Sequence, residues 1–125
     1  MNSLMKMLVV EDNPEMRMAL AQQFEAEEFT VDTANDGMPA LELIRHNRYD
    51  IILLDLSLPR MNGVNLLKEL HHLPNFPNVV VLTASNSLLR AVECVKLGAK
   101  SYLLKPYDPA ELVEVVTRVV NEPRS

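Results

Sequence analysis

Five short apolar runs punctuate this chain, at residues 6–10, 29–33, 51–54, 79–82 and 101–104. Several are nearly continuous in Val, Ile and Leu. Strands buried on both faces read this way, as in a parallel sheet covered by helices. The longer stretches between them carry apolar residues at helical spacing. Asn13-Pro14 predicts a helix start, with Asn as N-cap and Pro in the first turn, where its missing N–H costs nothing. Met16, Ala19, Leu20 and Phe24 then form a stripe. Leu41 and Ile44 do the same after Asp36-Gly37, followed by Val64, Leu67 and Leu70, and by Leu88, Val92 and Val95. Asp108-Pro109 opens the last helix, with Leu112, Val116 and Val119 facing inward. Repeated strand–helix units of this length predict right-handed crossovers and a doubly wound α/β fold with a parallel sheet.

Composition narrows the class. The chain has 125 residues, of which 48% are hydrophobic, enough for one real core without disulfides or structural metals. A single domain is expected, with its core over about residues 6–120 and residues 121–125 as a tail or truncated linker. Cys94 is the lone cysteine, which excludes an internal disulfide and suits a reducing cytoplasm. No apolar run approaches the ~18 residues that a membrane span needs. A net charge of −5 argues against direct nucleic-acid binding through phosphates.

In doubly wound sheets the working site lies outside the carboxyl ends of the strands. There the first run ends in Glu11-Asp12, the third in Asp55, the fourth in Thr83 and the fifth in Lys105-Pro106. Two carboxylates about 4 Å apart cost each other roughly 4 kcal/mol at an effective dielectric near 20. Three in one pocket therefore call for a cation. Oxygen-only ligands point to magnesium, a hard ion, with manganese as a substitute. An aspartate so placed can act as a nucleophile toward phosphorus, and Lys105 and the Thr83 hydroxyl can grip phosphoryl oxygens. Taken singly, each residue has an ordinary reading. An acidic strand end is usually a turn former or cap, a threonine suits a strand, and a lysine is usually solvated. Their joint placement at the ends of separate strands is what points to a site.

At these residues the chain resembles a two-component response-regulator receiver domain over nearly its whole length. The segments that carry the likeness are Leu8-Val9-Val10-Glu11-Asp12-Asn13; Asp50-Ile51-Ile52-Leu53-Leu54-Asp55-Leu56-Ser57-Leu58-Pro59 with Gly63 following; Val81-Leu82-Thr83-Ala84; and Leu97-Gly98-Ala99-Lys100-Ser101-Tyr102-Leu103-Leu104-Lys105-Pro106. The resemblance implies a flavodoxin-like, five-stranded parallel sheet in order 2-1-3-4-5. It implies that Asp55 accepts phosphate from a sensor histidine kinase or a histidine phosphotransfer protein. Glu11, Asp12, Asp55 and the backbone carbonyl of Ser57 would ligate magnesium. Thr83, Lys105 and the N–H of Ala84 would bind the phosphoryl oxygens, and Lys105-Pro106 would be a cis peptide. Thr83 and Tyr102 would form the switch that reshapes the face made by the fourth helix, fifth strand and fifth helix. That face would serve a downstream effector or a homodimer. Asn13, Met16, Pro106 and Tyr107 would contact the phosphoryl donor.

Departures fall at tuning positions: Ser57 and Ser85 are small and polar, and Pro39 stands near the start of the second helix. His71-His72 read as solvated, since adjacent helical side chains do not face each other. Cys94 reads as an inert, partly buried helix cysteine, and Met16 and Met18 as space fillers.

Three other readings compete. A phosphatase of the haloacid-dehalogenase type would want a second Asp two residues after the nucleophile, where Ser57 stands, so turnover lacks its proton donor. A flavin or nucleotide binder would want a phosphate cradle where Glu11-Asp12 stand. A phosphorylation-independent interaction module would not need the full acidic set. The stretch at residues 91–99 is similar to receivers attached to AAA+ transcriptional activators, so both a stand-alone receiver and one cut from a longer regulator fit the sequence.

Overall fold

The computed structural model describes residues 4–56, 63–73, 76–84 and 88–122. Strands and helices alternate strictly: β1 (Lys6–Val10), α1 (Pro14–Ala26), β2 (Thr30–Ala34), α2 (Gly37–His46), β3 (Ile51–Asp55), α3 (Gly63–Leu70), β4 (Asn78–Ala84), α4 (Leu88–Lys96), β5 (Ser101–Lys105) and α5 (Pro109–Asn121). The five strands form one sheet in the order β2-β1-β3-β4-β5, and every pairing is parallel. This is the doubly wound fold expected from the sequence.

Side-chain alternation along the strands divides the core in two. Leu8, Val10, Ile52, Leu54, Val79 and Val81 pack on one face against α2, α3 and α4. Met7, Val9, Ile51, Leu53, Val80 and Leu82 pack on the other, against Leu20 and Phe24 of α1 and Leu112, Val116 and Val119 of α5. Helices on both faces explain why β1, β3 and β4 lack the polar alternation of a half-exposed strand.

The structure departs from the sequence pattern in three places. The second strand begins at Thr30 rather than Phe29. Glu28 takes φ 70° and the Phe29 amide donates to the Phe24 carbonyl at 3.0 Å, so Phe29 closes the end of α1. Its ring meets Phe24 edge-on at 5.7 Å. On α4 the buried residues are Ala91 and Cys94, while Leu88, Val92 and Val95 are exposed. The face of this short helix turned to the sheet is the one that carries its small residues, and its larger residues point outward. Cys94 is accordingly fully buried. On α1, Met16 and Met18 are likewise exposed rather than filling the core, and Leu20 and Phe24 alone carry its buried face.

Close backbone approach shapes the carboxyl edge at one point. A Cβ on Gly63 would stand 2.9 Å from Leu56 Cα, and the Gly63 amide donates to the Leu56 carbonyl at 3.2 Å. Glycine thus lets α3 start directly against the end of β3, beside Asp55.

Candidate functional site

Strand register brings the expected residues to one edge. Asp55 closes β3 opposite Leu82, and β4 runs on to Thr83 and Ala84, which pair with Leu104 and Lys105. Glu11 and Asp12 follow β1, and the Glu11 amide donates to the Ala34 carbonyl at 3.0 Å. One carboxylate oxygen from each of Glu11, Asp12 and Asp55 lies within 4.8 Å of the others. Glu11 and Asp55 are buried, at 2% and 4% exposed, whereas Asp12 faces solvent.

Local hydrogen bonds shape the turn after β1. The Asn13 amide donates to Glu11 Oε2 at 3.2 Å, and Asn13 Oδ1 accepts from the Met16 amide at 3.0 Å, capping α1 as its sequence foretold. Lys105 reaches back from β5: its Nζ donates to Asp55 Oδ2 at 3.0 Å and stands 3.6 Å from Glu11 Oε1. Glu11 Oε1 is buried, and it accepts no hydrogen bond among the described residues.

The electrostatics are unbalanced. Burial first, then proton sharing with Asp55 and the repulsion of its charge, pushes the Glu11 carboxyl up to about 7. Burial acts to lower the Lys105 ammonium, but its hydrogen bond to Asp55 and the charges of Asp55 and Glu11 outweigh it, and the net displacement is upward. Among the described residues one ammonium stands against three acids, which leaves room for a further cation. An all-oxygen donor set and an orphaned buried carboxylate oxygen fit a hard divalent ion. Among the described residues, no other group of three or more acidic, histidine or cysteine side chains is so placed. Ser57 and Ser85 lie outside the described residues.

Thr83 is buried and Tyr102 is 36% exposed. Val81 pairs with Tyr102 and Thr83 with Leu104, so Thr83 and Tyr102 are diagonal neighbours on the sheet face that α4 covers. The Lys105-Pro106 peptide is cis.

Beside the acids, between α1 and the start of α5, opens a largely apolar groove of about 510 Å³. Met16, Ala19, Leu20, Pro106 and Tyr107 line it, with Ala84 and Lys105 at the end nearest Asp55. The Tyr107 hydroxyl donates to Met16 Sδ at 3.7 Å. Gln23 Nε2 donates to the Pro109 carbonyl at 2.9 Å. Sequence reasoning named Met16, Pro106 and Tyr107 but missed Ala19, Leu20 and Gln23. In the sequence these look like an inward stripe and a solvated amide. The weak segregation of apolar residues around α1 was the available signal.

The chain matches the response regulator receiver domain family over residues 7–117. It is similar to the transcriptional regulatory protein CpxR homolog of Haemophilus influenzae, 35% identical over 120 residues, 96% of this chain and 52% of that protein. The chain spans about half the length of several of the relatives it matches. Among solved structures it is similar to the receiver domain of the sensor histidine kinase PA1611 from Pseudomonas aeruginosa, which has a magnesium ion coordinated in its active-site cleft. That likeness has a TM-score of 0.86 and 30% identity, covering 96% of this chain and all of that one (100%). It is also similar to the chemotaxis protein CheY4 of Vibrio cholerae, with a TM-score of 0.85, 28% identity, and coverage of 94% and 99%. The strand-end chemistry and the family match thus agree, and this chain belongs to the response regulator receiver domains of two-component signalling.

Proposed function

We propose that this domain accepts a phosphoryl group on Asp55 from a phosphohistidine of a sensor kinase or phosphotransfer protein. One observation carries the reading. The buried Asp55 carboxylate has an ammonium at 3.0 Å and two further carboxylates within 4.8 Å, one of which holds a buried oxygen that accepts no hydrogen bond among the described residues. An Asp55 oxygen attacks phosphorus while the bond from phosphorus to the donor imidazole nitrogen breaks, and the imidazole keeps the electron pair. Lys105 follows the developing charge from the Asp55 carboxylate onto the phosphoryl oxygens, helped by the Thr83 hydroxyl and the Ala84 amide. Glu11, Asp12 and Asp55 would hold magnesium, which supplies charge neutralisation at the phosphoryl group.

The groove at Met16, Pro106 and Tyr107, with Asn13 capping the helix that carries Met16, supports docking of the phosphoryl donor beside Asp55. The diagonal placement of Thr83 and Tyr102 supports a switch in which Thr83 moves toward the new phosphate and Tyr102 turns into the space it leaves. The exposed Leu88, Leu89, Val92 and Val95 of α4, beside Tyr102, would present the altered face to an effector or a second copy. Such a switch needs only a few kcal/mol of differential stabilisation.

The test is intact mass after incubation with acetyl phosphate and magnesium, beside Asp55→Asn and a chelated control. Gain of one phosphoryl group only in the unmodified protein with metal is the expected result. Undiminished labelling of Asp55→Asn would remove Asp55 from its role. Thr83→Ala should still be labelled, and phosphate-dependent NMR shifts in α4 that persist in this variant would sink the switch.

A further inference from the structure

Burial does not hold Asp12 in place. It is exposed, it sits on the bend between β1 and α1, and its carboxylate is crowded by those of Glu11 and Asp55. Repulsion favours swinging such a loop into solvent, where the charges separate at little cost. Arg17, the fourth residue of α1, opposes that movement. Its Nη1 donates to the main-chain carbonyl of Glu11 at 3.0 Å and to that of Asp12 at 3.2 Å. Its own amide donates to the Asn13 carbonyl at 2.9 Å. The guanidinium of a partly buried arginine therefore grips two consecutive carbonyls of the turn that bears two of the three acids, and ties them to a helix.

We propose that Arg17 is a positioning residue for the divalent-cation site, holding the main chain at residues 11–12 so that Glu11 and Asp12 present their carboxylates beside Asp55. The proposal rests on reading the acidic cluster as a metal site. The sequence reading passed over Arg17, because a basic residue in the first turns of a helix is usually solvated. The geometry gives it work that no carboxylate in the turn can do for itself, since acids cannot donate to carbonyls when ionised.

Charge and position predict opposite signs. A guanidinium near a cation site repels the incoming ion, so an Arg17 acting only through its charge would weaken magnesium binding, and its removal would tighten it. An Arg17 that positions the ligands does the reverse. Partners that orient metal ligands typically contribute about tenfold or more to affinity. Because a single nitrogen makes both carbonyl contacts, a lysine ammonium can replace it, whereas methionine keeps only the stem.

The experiment is calorimetric titration of magnesium chloride into chelator-stripped wild-type, Arg17→Met and Arg17→Lys proteins, with thermal unfolding of each in EDTA. Arg17→Met should bind magnesium about tenfold more weakly. Arg17→Lys should recover to within about threefold of wild type, with both variants melting alike in EDTA, so that the affinity difference tracks the donor rather than the fold. Arg17→Met binding as tightly as wild type, or tighter, would overturn the proposal. So would an Arg17→Lys protein no better than Arg17→Met. Wild-type protein that takes up no magnesium would overturn the metal-site reading, and this proposal with it. Failure in the variants alone would leave that reading standing.

Discussion

At the amino edge of the sheet, Lys6 meets Asn47 Oδ1 at 3.2 Å and Asp32 Oδ2 at 3.7 Å, and the buried Tyr49 hydroxyl donates to the same Asp32 oxygen at 2.7 Å. The Lys6 amide donates to Asp50 Oδ2 at 2.8 Å, and Asn78 Nδ2 donates to the Asp50 carbonyl at 3.1 Å. Each of these groups has a partner supplied by the chain. At the carboxyl edge, among the described residues, three carboxylates cluster around one ammonium that pairs with Glu11 and Asp55, and a buried Glu11 oxygen accepts no hydrogen bond. The same sheet thus ends in a settled network on one side and in unspent charge on the other. The first contributes to holding the fold, while the second is a concentration of buried like charge of the kind that functional sites commonly carry at a cost in stability.

The largest effect that would sharpen this contrast is on metal affinity. Glu11→Gln should lower magnesium affinity on the order of a hundredfold by calorimetry, since it removes a charged ligand as well as its orientation. Binding within a few-fold of wild type would break the contrast at its source.

Next is the stability of the metal-free protein. The Glu11 carboxyl is raised from 4.5 to about 7 by burial and then by Asp55, so the fold holds this proton more tightly than the unfolded chain does. Its contribution is therefore fully present below pH 4.5 and is lost as pH rises to about 7. In EDTA at alkaline pH, Glu11→Gln should be more stable than wild type, on the order of 2 kcal/mol by urea unfolding. A loss of stability there would mean that the carboxyl edge is as settled as the amino edge.

The same displacement makes metal uptake depend on pH. With Glu11 as a ligand, magnesium would have to expel its proton, so affinity at pH 8 should exceed that at pH 6 by about tenfold in titrations at constant ionic strength. Flat affinity across this range would show Glu11 already ionised. The smallest effect lies at the amino edge, where Tyr49→Phe should cost about 1 kcal/mol of unfolding free energy and leave magnesium affinity unchanged. A change in affinity would mean that the two edges are coupled.

Much of this molecule was legible in its residues. Runs of Val, Ile and Leu at five places, with Asn13-Pro14 and Asp108-Pro109 as helix starts, determined a parallel sheet covered on both sides, because only such strands avoid polar alternation. The strand-end acids, Thr83 and Lys105 were legible for the same reason, since parallel strands deliver their last residues to one edge. The apolar stripes of α1 and α4 misled, because periodicity names a face without saying which face packs. On α4 the face with Ala91 and Cys94 packs, and the face with Leu88, Val92 and Val95 does not. Only the tertiary structure decided that Met16 lines a groove with Tyr107 and that Arg17 grips the turn bearing Glu11 and Asp12. It alone showed that Glu11 Oε1 accepts no hydrogen bond among the described residues. Those facts depend on distances between side chains and the main chain in three dimensions, which spacing along the chain does not specify.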